Sequence, residues 1–109
     1  MTTLRKDPRA LLGKPIWVSQ SKKAKIQGNL VDVSITGGKI QLNSHAQTKI
    51  KQNDIFEVSW VVVAGTLALN LKGEVQWHDI DQSTLGLRWV ELPILTRKII
   101  QRVVYFHRA

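Results

Sequence analysis

The sequence contains no cysteine, which excludes disulfides, thiolate nucleophiles and cysteine-based zinc sites together. It also lacks a membrane-length apolar run. The run Val58 to Leu69, within the longest uncharged stretch (58–71), falls short of the roughly 20 apolar residues that a spanning helix needs, and it reads as a buried hairpin broken at Ala64-Gly65-Thr66. The opening MTTLRKDPRALLGKP carries charges where a secretory signal needs its apolar stretch, so export by that route is not expected and a cytoplasmic location is. Catalytic groups are sparse: His45, His78 and His107 occur singly, none at ligand spacing from another. The tract His78-Asp79-Ile80-Asp81 offers one imidazole and two flexible carboxylates, which define no metal geometry, and a polar loop between strands accounts for it. No glycine-rich phosphate loop, nucleophile elbow or zinc-enzyme motif is found. An enzyme, a resident cofactor and a bound metal are therefore not expected.

Acidic residues are also scarce, 8 against 16 Lys and Arg, and the net charge is +8. Its placement is uneven. Residues 1–30 hold seven cations against one acid, residues 31–90 five against six, and the last nineteen contribute +3. Such a balance favours anionic partners such as nucleic acid, nucleotides or acidic lipid, with a solvated basic surface as the alternative. The 109 residues, 43% of them hydrophobic, suffice for one domain with its own core and are too few for two.

Period-two alternation dominates most of the chain. Strands are predicted at Ile16–Gln20, Lys25–Ser34, Gly38–Leu42, Ile55–Val63, Thr66–Leu71, Gly73–His78 and Leu85–Trp89. Phe56, Val58, Trp60 and Val62 share one face, as do Leu67, Leu69 and Leu71; Val75 aligns with Trp77, and Leu85 with Leu87 and Trp89. From Pro93 the spacing changes to three or four, with Leu95, Ile99, Val103 and Phe106 on one helical face and Pro93 suited to the first turn. Many short strands and one closing helix describe a small antiparallel barrel.

Two segments interrupt the simple pattern. In VDVSITGGKIQL (31–42), strand alternation projects Asp32 and Ser34 together and turns Val31 and Val33 to the buried side. A carboxylate accepts two hydrogen bonds side by side, which suits the N1 and N2 donors of a guanine, and Gly37 is free to take positive φ and bring backbone close to a ligand. The alternative is a turn in which Asp and Ser cap amides and the glycines make the bend. In Arg5-Lys6-Asp7-Pro8-Arg9, Pro8 disfavours a helix, so the two guanidiniums approach a ligand from separate directions. Guanidinium suits phosphate, the guanine O6/N7 edge and base stacking; a basic tail is the plain alternative.

Arg5-x-x-x-Arg9 followed by Asp32-x-Ser34-x-x-Gly37 resembles the signature of the PilZ domain, the bacterial receptor module for cyclic di-GMP. The glycine-containing turn into a strand, Asn53-Asp54, Gly73-Glu74-Val75-Gln76-Trp77, Leu85-Gly86-Leu87-Arg88-Trp89 and a terminal helix are similar in order and spacing, through nearly the whole chain. The resemblance implies an all-β fold with one helix: a six-stranded antiparallel barrel (14–109) closed by a C-terminal helix from about 93. An arginine-bearing segment (1–13) would fold over a dinucleotide on the barrel's outer face. It assigns phosphate and guanine contacts to Arg5 and Arg9, and guanine reception to Asp32, Ser34 and Gly37. Trp89 stands where many relatives have Phe, a change of core volume. Trp77 is a stacking candidate or a structural tryptophan, and Lys6 an added charge or a solvated lysine. The implied protein is a non-enzymatic cyclic di-GMP receptor that signals to a protein partner by a ligand-induced change of surface. Its rivals are a PilZ-like protein adaptor with little nucleotide affinity and a small barrel binding single-stranded nucleic acid.

Overall fold

A computed structural model of the chain describes residues 9–20, 25–43, 50–63 and 67–107. Arg5, Lys6 and His45 lie outside the described residues. Six strands, β1 (Ala10–Ser19), β2 (Ile26–Val33), β3 (Gly37–Leu42), β4 (Ile55–Val63), β5 (Leu67–Asp79) and β6 (Thr84–Val90), precede one helix, α1 (Ile94–His107). The strands form a closed antiparallel barrel in the order β1-β2-β3-β6-β5-β4. This is the six-stranded, helix-closed architecture that the resemblance implies, with one strand fewer than the seven read from alternation.

The core follows from that alternation. Phe56, Val58 and Trp60 of β4, Leu69 and Leu71 of β5, and Leu85, Leu87 and Trp89 of β6 all point inward and are buried, as period-two spacing requires. Val75 is buried too, but Trp77 is not: it is 45% exposed. The cause is a register shift. Val75 pairs with Leu87 and Trp77 with Gly86, so Gln76 is an extra residue on β5. One inserted residue reverses the faces of everything beyond it, and Trp77 is turned outward. A second shift lies in β2, where Leu30 pairs with Ile40 and Asp32 with Lys39. Leu30 and Val33 both reach the core, while the intervening Val31 remains half-buried rather than joining Val33 inside.

β1 begins six residues before the predicted Ile16, and the prediction failed there because Gly13 and Pro15 read as breakers. Gly13 takes φ 61°, and the pairing moves from Leu11 opposite Asp32 to Lys14 opposite Leu30, so an irregularity carries the strand past them. The predicted strands 66–71 and 73–78 are one continuous β5. In α1 the core stripe is centred on Ile100 and Val104, flanked by Ile99 and Val103. Leu95 and Phe106 are each 73% exposed. The buried face thus keeps Ile99 and Val103 of the predicted stripe at its edge and is rotated toward Ile100 and Val104, by less than the 100° between consecutive residues. The Pro93 carbonyl accepts the first helical bond from Arg97 N–H at 2.9 Å.

Gly37 is required for closeness rather than for positive φ. Among the described glycines only Gly13 has positive φ, whereas a Cβ on Gly37 would overlap the Leu87 carbonyl oxygen of β6. Gly37 pairs with Arg88 there, and the two backbones leave no space for a side chain. Gly37→Ala is expected to force β3 and β6 apart and lower unfolding free energy by about 1–3 kcal/mol, the usual cost of overpacking. Urea denaturation checks this; an unchanged midpoint would show that the strands separate without cost.

Candidate functional site

The pairing registers lay the candidate residues out in rows across the barrel's outer surface. Leu11 of β1 faces Asp32 of β2, Asp32 faces Lys39 of β3, Lys39 faces Gly86 of β6, and Gly86 faces Trp77 of β5. The adjacent row places Gly37, Arg88 and Glu74 side by side. Asp32 and Gly37 of the sequence signature thereby share rows with residues of β5 and β6.

Val33 fills the core, so Asp32 points out of the barrel. It is nonetheless covered, because the Arg9 guanidinium lies on it: Arg9 Nη1 donates to Asp32 Oδ1 at 2.7 Å, with side-chain exposures of 32% and 10%. This is a charge-assisted bond of the short, strong kind. It joins the two halves of the signature across 23 residues.

Ser34 is fully buried at the head of the β2–β3 turn. Its Oγ accepts from the Thr36 N–H at 3.2 Å and the Gly37 N–H at 3.3 Å, and lies 3.0 Å from Thr36 Oγ1. Its own N–H donates to the Gly37 carbonyl at 2.8 Å. The hydroxyl therefore caps the turn, the structural alternative open in the sequence.

A shallow cleft of about 220 Å³ opens between β3, β6 and β5. Arg9, Gly37 and Trp77 line it, together with Lys39, Gln76 and Arg88. Glycine makes its floor. A Cβ on Gly86 would overlap the Trp77 indole, so the ring lies across Gly86 as a wall with part of its face open to solvent. Arg88 is oriented by Glu74, Nη2 to Oε1 at 3.0 Å, and Gln76 Nε2 donates to the same oxygen at 3.1 Å. The Arg88 bond, and then that of Gln76, hold the Glu74 carboxyl below its ordinary value. Because the folded value is depressed, this link stabilises the fold above the ordinary carboxylate range and is lost as pH falls through the lowered value. Among the described residues Lys39 has no ion-pair partner.

Asp32 and Ser34 stand behind this cleft, the one through Arg9 and the other through the turn. Lys39, Gln76 and Arg88 were not singled out in the sequence. Lys39 and Arg88 had a signal, since each alternates with core residues in its strand; Gln76 had none, because the irregularity that exposes it leaves no mark in composition. A larger groove of about 570 Å³ between β1 and β4, lined by Leu12, Trp17, Trp60 and Val103 among others, contains none of the candidates. Among the described residues no three His, Asp or Glu side chains gather to hold a metal, and no helix is long and apolar enough to cross a membrane.

The family model of the PilZ domain matches residues 3–106, and the chain belongs to the PilZ domain family. Solved structures agree in fold. The PilZ domain of Escherichia coli YcgR, determined with cyclic di-GMP, superposes with a TM-score of 0.71 at 13% identity, covering 96% of this chain and 92% of that one. The PilZ domain of CeSA from a cellulose-synthesizing bacterium gives 0.70 at 15% identity, covering 90% and 95%. The Bacillus subtilis inhibitor of motility, MotI/DgrA, gives 0.72 at 9% identity; the alignment covers 96% of this chain but 51% of that protein, so this chain corresponds to about half its length. No curated protein matches the chain.

The covered Asp32 makes the Arg9 pair testable by stability alone. Removing Arg9 leaves a largely buried carboxylate without its cation, which costs more than removing both partners. Arg9→Ala is expected to destabilise the protein more than the Arg9→Ala/Asp32→Ala double variant, with a coupling energy of about 0.5–3 kcal/mol in a thermal or urea double-mutant cycle. Additive effects would mean that the pair contributes nothing in solution.

Proposed function

We propose that this chain is a cyclic di-GMP receptor, in which Arg9 and Arg5 engage phosphate and guanine, Asp32 receives a guanine edge, and Trp77 stacks on a base. The observation that carries the reading is the convergence on one glycine-floored cleft: Arg9, paired with Asp32, stands beside Gly37 and Trp77, although these residues span 69 positions of sequence. Family membership and the cyclic di-GMP in the YcgR PilZ structure support the choice of ligand.

The cleft at about 220 Å³ is smaller than the roughly 300–1,000 Å³ of pockets that enclose a small molecule. It accommodates one base and an adjoining phosphate, and the remainder of a dinucleotide rests on the surface. Arg9, Lys39 and Arg88 bring three cations to its rim, which suits a ligand with two phosphates. Lys39 is the cation not already neutralised by a described carboxylate, and it supplies a phosphate contact at no internal cost. A guanine reaching Asp32 competes with Arg9 for the same oxygens. Ligand entry therefore redistributes the Arg9–Asp32 pair and draws the arginine segment onto the ligand, changing the surface offered to a protein partner. Lys6 adds to the field of that segment.

Isothermal titration with cyclic di-GMP and, separately, with a mixed-sequence oligonucleotide tests the assignment. The wild-type protein is expected to bind the dinucleotide; Arg5→Lys and Arg9→Lys each weaken binding by about tenfold or more, because lysine keeps the charge but loses the planar fork. Asp32→Ala weakens it without unfolding the barrel. Amide exchange over residues 1–13 slows on ligand addition, and unchanged exchange overturns the proposed switching step. Lack of affinity for either ligand selects the protein-adaptor reading, and oligonucleotide binding that survives both lysine variants selects the nucleic-acid reading.

A further inference from the structure

The turn that carries Ser34 and Gly37 is held from within the barrel by a residue four strands away in sequence. Trp89 of β6 is 7% exposed. Its indole Nε1–H donates to the Ser34 carbonyl at 3.0 Å, and its backbone N–H donates to the Thr36 carbonyl at 2.9 Å. The ring also packs on the next glycine: a Cβ on Gly38 would lie 3.1 Å from Trp89 Cζ2. Three successive features of the turn thus rest on one side chain and its amide.

The bonding within the turn shows why the indole matters. A hairpin with two loop residues, here Ile35 and Thr36, ordinarily closes with a pair of backbone bonds between the residues on either side. One is made, from Ser34 N–H to the Gly37 carbonyl. The Gly37 N–H instead donates to Ser34 Oγ, and the Ser34 carbonyl accepts from Trp89. The indole therefore supplies the donor that the serine hydroxyl has diverted. Phenylalanine would fill most of the same volume but has no N–H, so the buried carbonyl would lose that donor and the Gly37 N–H would be drawn back to it.

We propose that Trp89 is a positioning residue for the ligand-binding turn, a strut whose indole N–H keeps Ser34 Oγ on the Gly37 amide and so sets the height of the cleft floor. Rather than changing only core volume, Trp89 couples the barrel interior to the site. The proposal rests on the reading of this turn as part of the ligand site, and its test separates the two.

The test compares Trp89→Phe with Val58→Ala, a core change in β4, which is not adjacent to β2, β3 or β6 in the barrel. Both are examined at a temperature where circular dichroism shows them folded. The expected result is that amide exchange at Thr36 and Gly37 accelerates at least tenfold in Trp89→Phe and stays within twofold of wild type in Val58→Ala, and that cyclic di-GMP affinity falls at least fivefold in the first alone. In the wild-type protein the Trp89 indole proton exchanges far more slowly than that of Trp17, which is 46% exposed. Unaltered Thr36 and Gly37 exchange in Trp89→Phe, or a Trp89 indole that exchanges as fast as that of Trp17, overturns the strut; the second measurement decides the matter even if the variant fails to fold. Altered exchange with unchanged affinity also overturns the positioning role. If the wild-type protein does not bind cyclic di-GMP, the receptor reading fails and with it the positioning of a ligand, while the exchange data still establish or remove the strut.

Discussion

The close approach of β3 to β6 governs the site. At Gly37 the strands are too near for any side chain, since a Cβ there would meet the Leu87 carbonyl. The same crowding recurs at Gly86 beneath the Trp77 ring. These two positions, both buried, leave a floor without side chains between the outward-pointing residues around it. The long residues around it, Arg9, Lys39, Trp77 and Arg88, become walls by default. A cleft made in this way is shallow and presents cations and one aromatic face. It suits a flat, anionic ligand and is poorly shaped for an apolar one.

Charge is distributed so that the rim is cationic without being unstable. Two of its guanidiniums are held by carboxylates on neighbouring strands, Arg9 by Asp32 and Arg88 by Glu74. Each pair fixes a fork that would otherwise lose rotamer entropy on meeting a ligand. The pairs differ in setting. Asp32 is nearly covered whereas Arg88 is well exposed, so the Arg9 pair is the less screened by solvent and the Arg88 pair weakens more with salt. Lys39 sits between Asp32 and Gly86 in the pairing rows, which places a charge unmatched by a described acid at the centre of the site.

Much of this was legible in the sequence, and the parts that were not share a cause. Alternation located β4 at its observed bounds and identified its inward residues, as well as those of β6. It went wrong at Trp77 and Val31 because single inserted residues reverse the faces of a strand, and an insertion becomes visible only when the partner strand is known. The first half of β1 was hidden by Gly13 and Pro15, whose irregularity is tolerated next to the displaced Val31. In α1 the sequence offers apolar residues on more than one face, and only the barrel selects Ile100 and Val104 over Leu95 and Phe106. At the site, the proximity of the signature's two halves was expected from the resemblance, and the Arg9–Asp32 bond is a geometric form of it. Lys39 and Arg88 were overlooked because their membership depends on strands adjacent in space and distant in sequence.

Trp89 shows how a substitution that looks conservative in size acquires a polar task. The closure of the Ser34 turn uses the serine hydroxyl as an acceptor for Gly37, and a buried carbonyl then requires another donor. An aromatic side chain already packed in the barrel can meet that need only if it carries an N–H or O–H in reach, and the indole of Trp89 does so at 3.0 Å. The arrangement makes the outer site depend on core packing: motion of β6 that shifts the ring shifts the turn, and with it the glycine floor between Arg9 and Trp77. Because the backbone of Trp89 also holds Thr36, the two contacts resist both translation and tilting of the turn. A single hydrogen bond would leave one of those motions free.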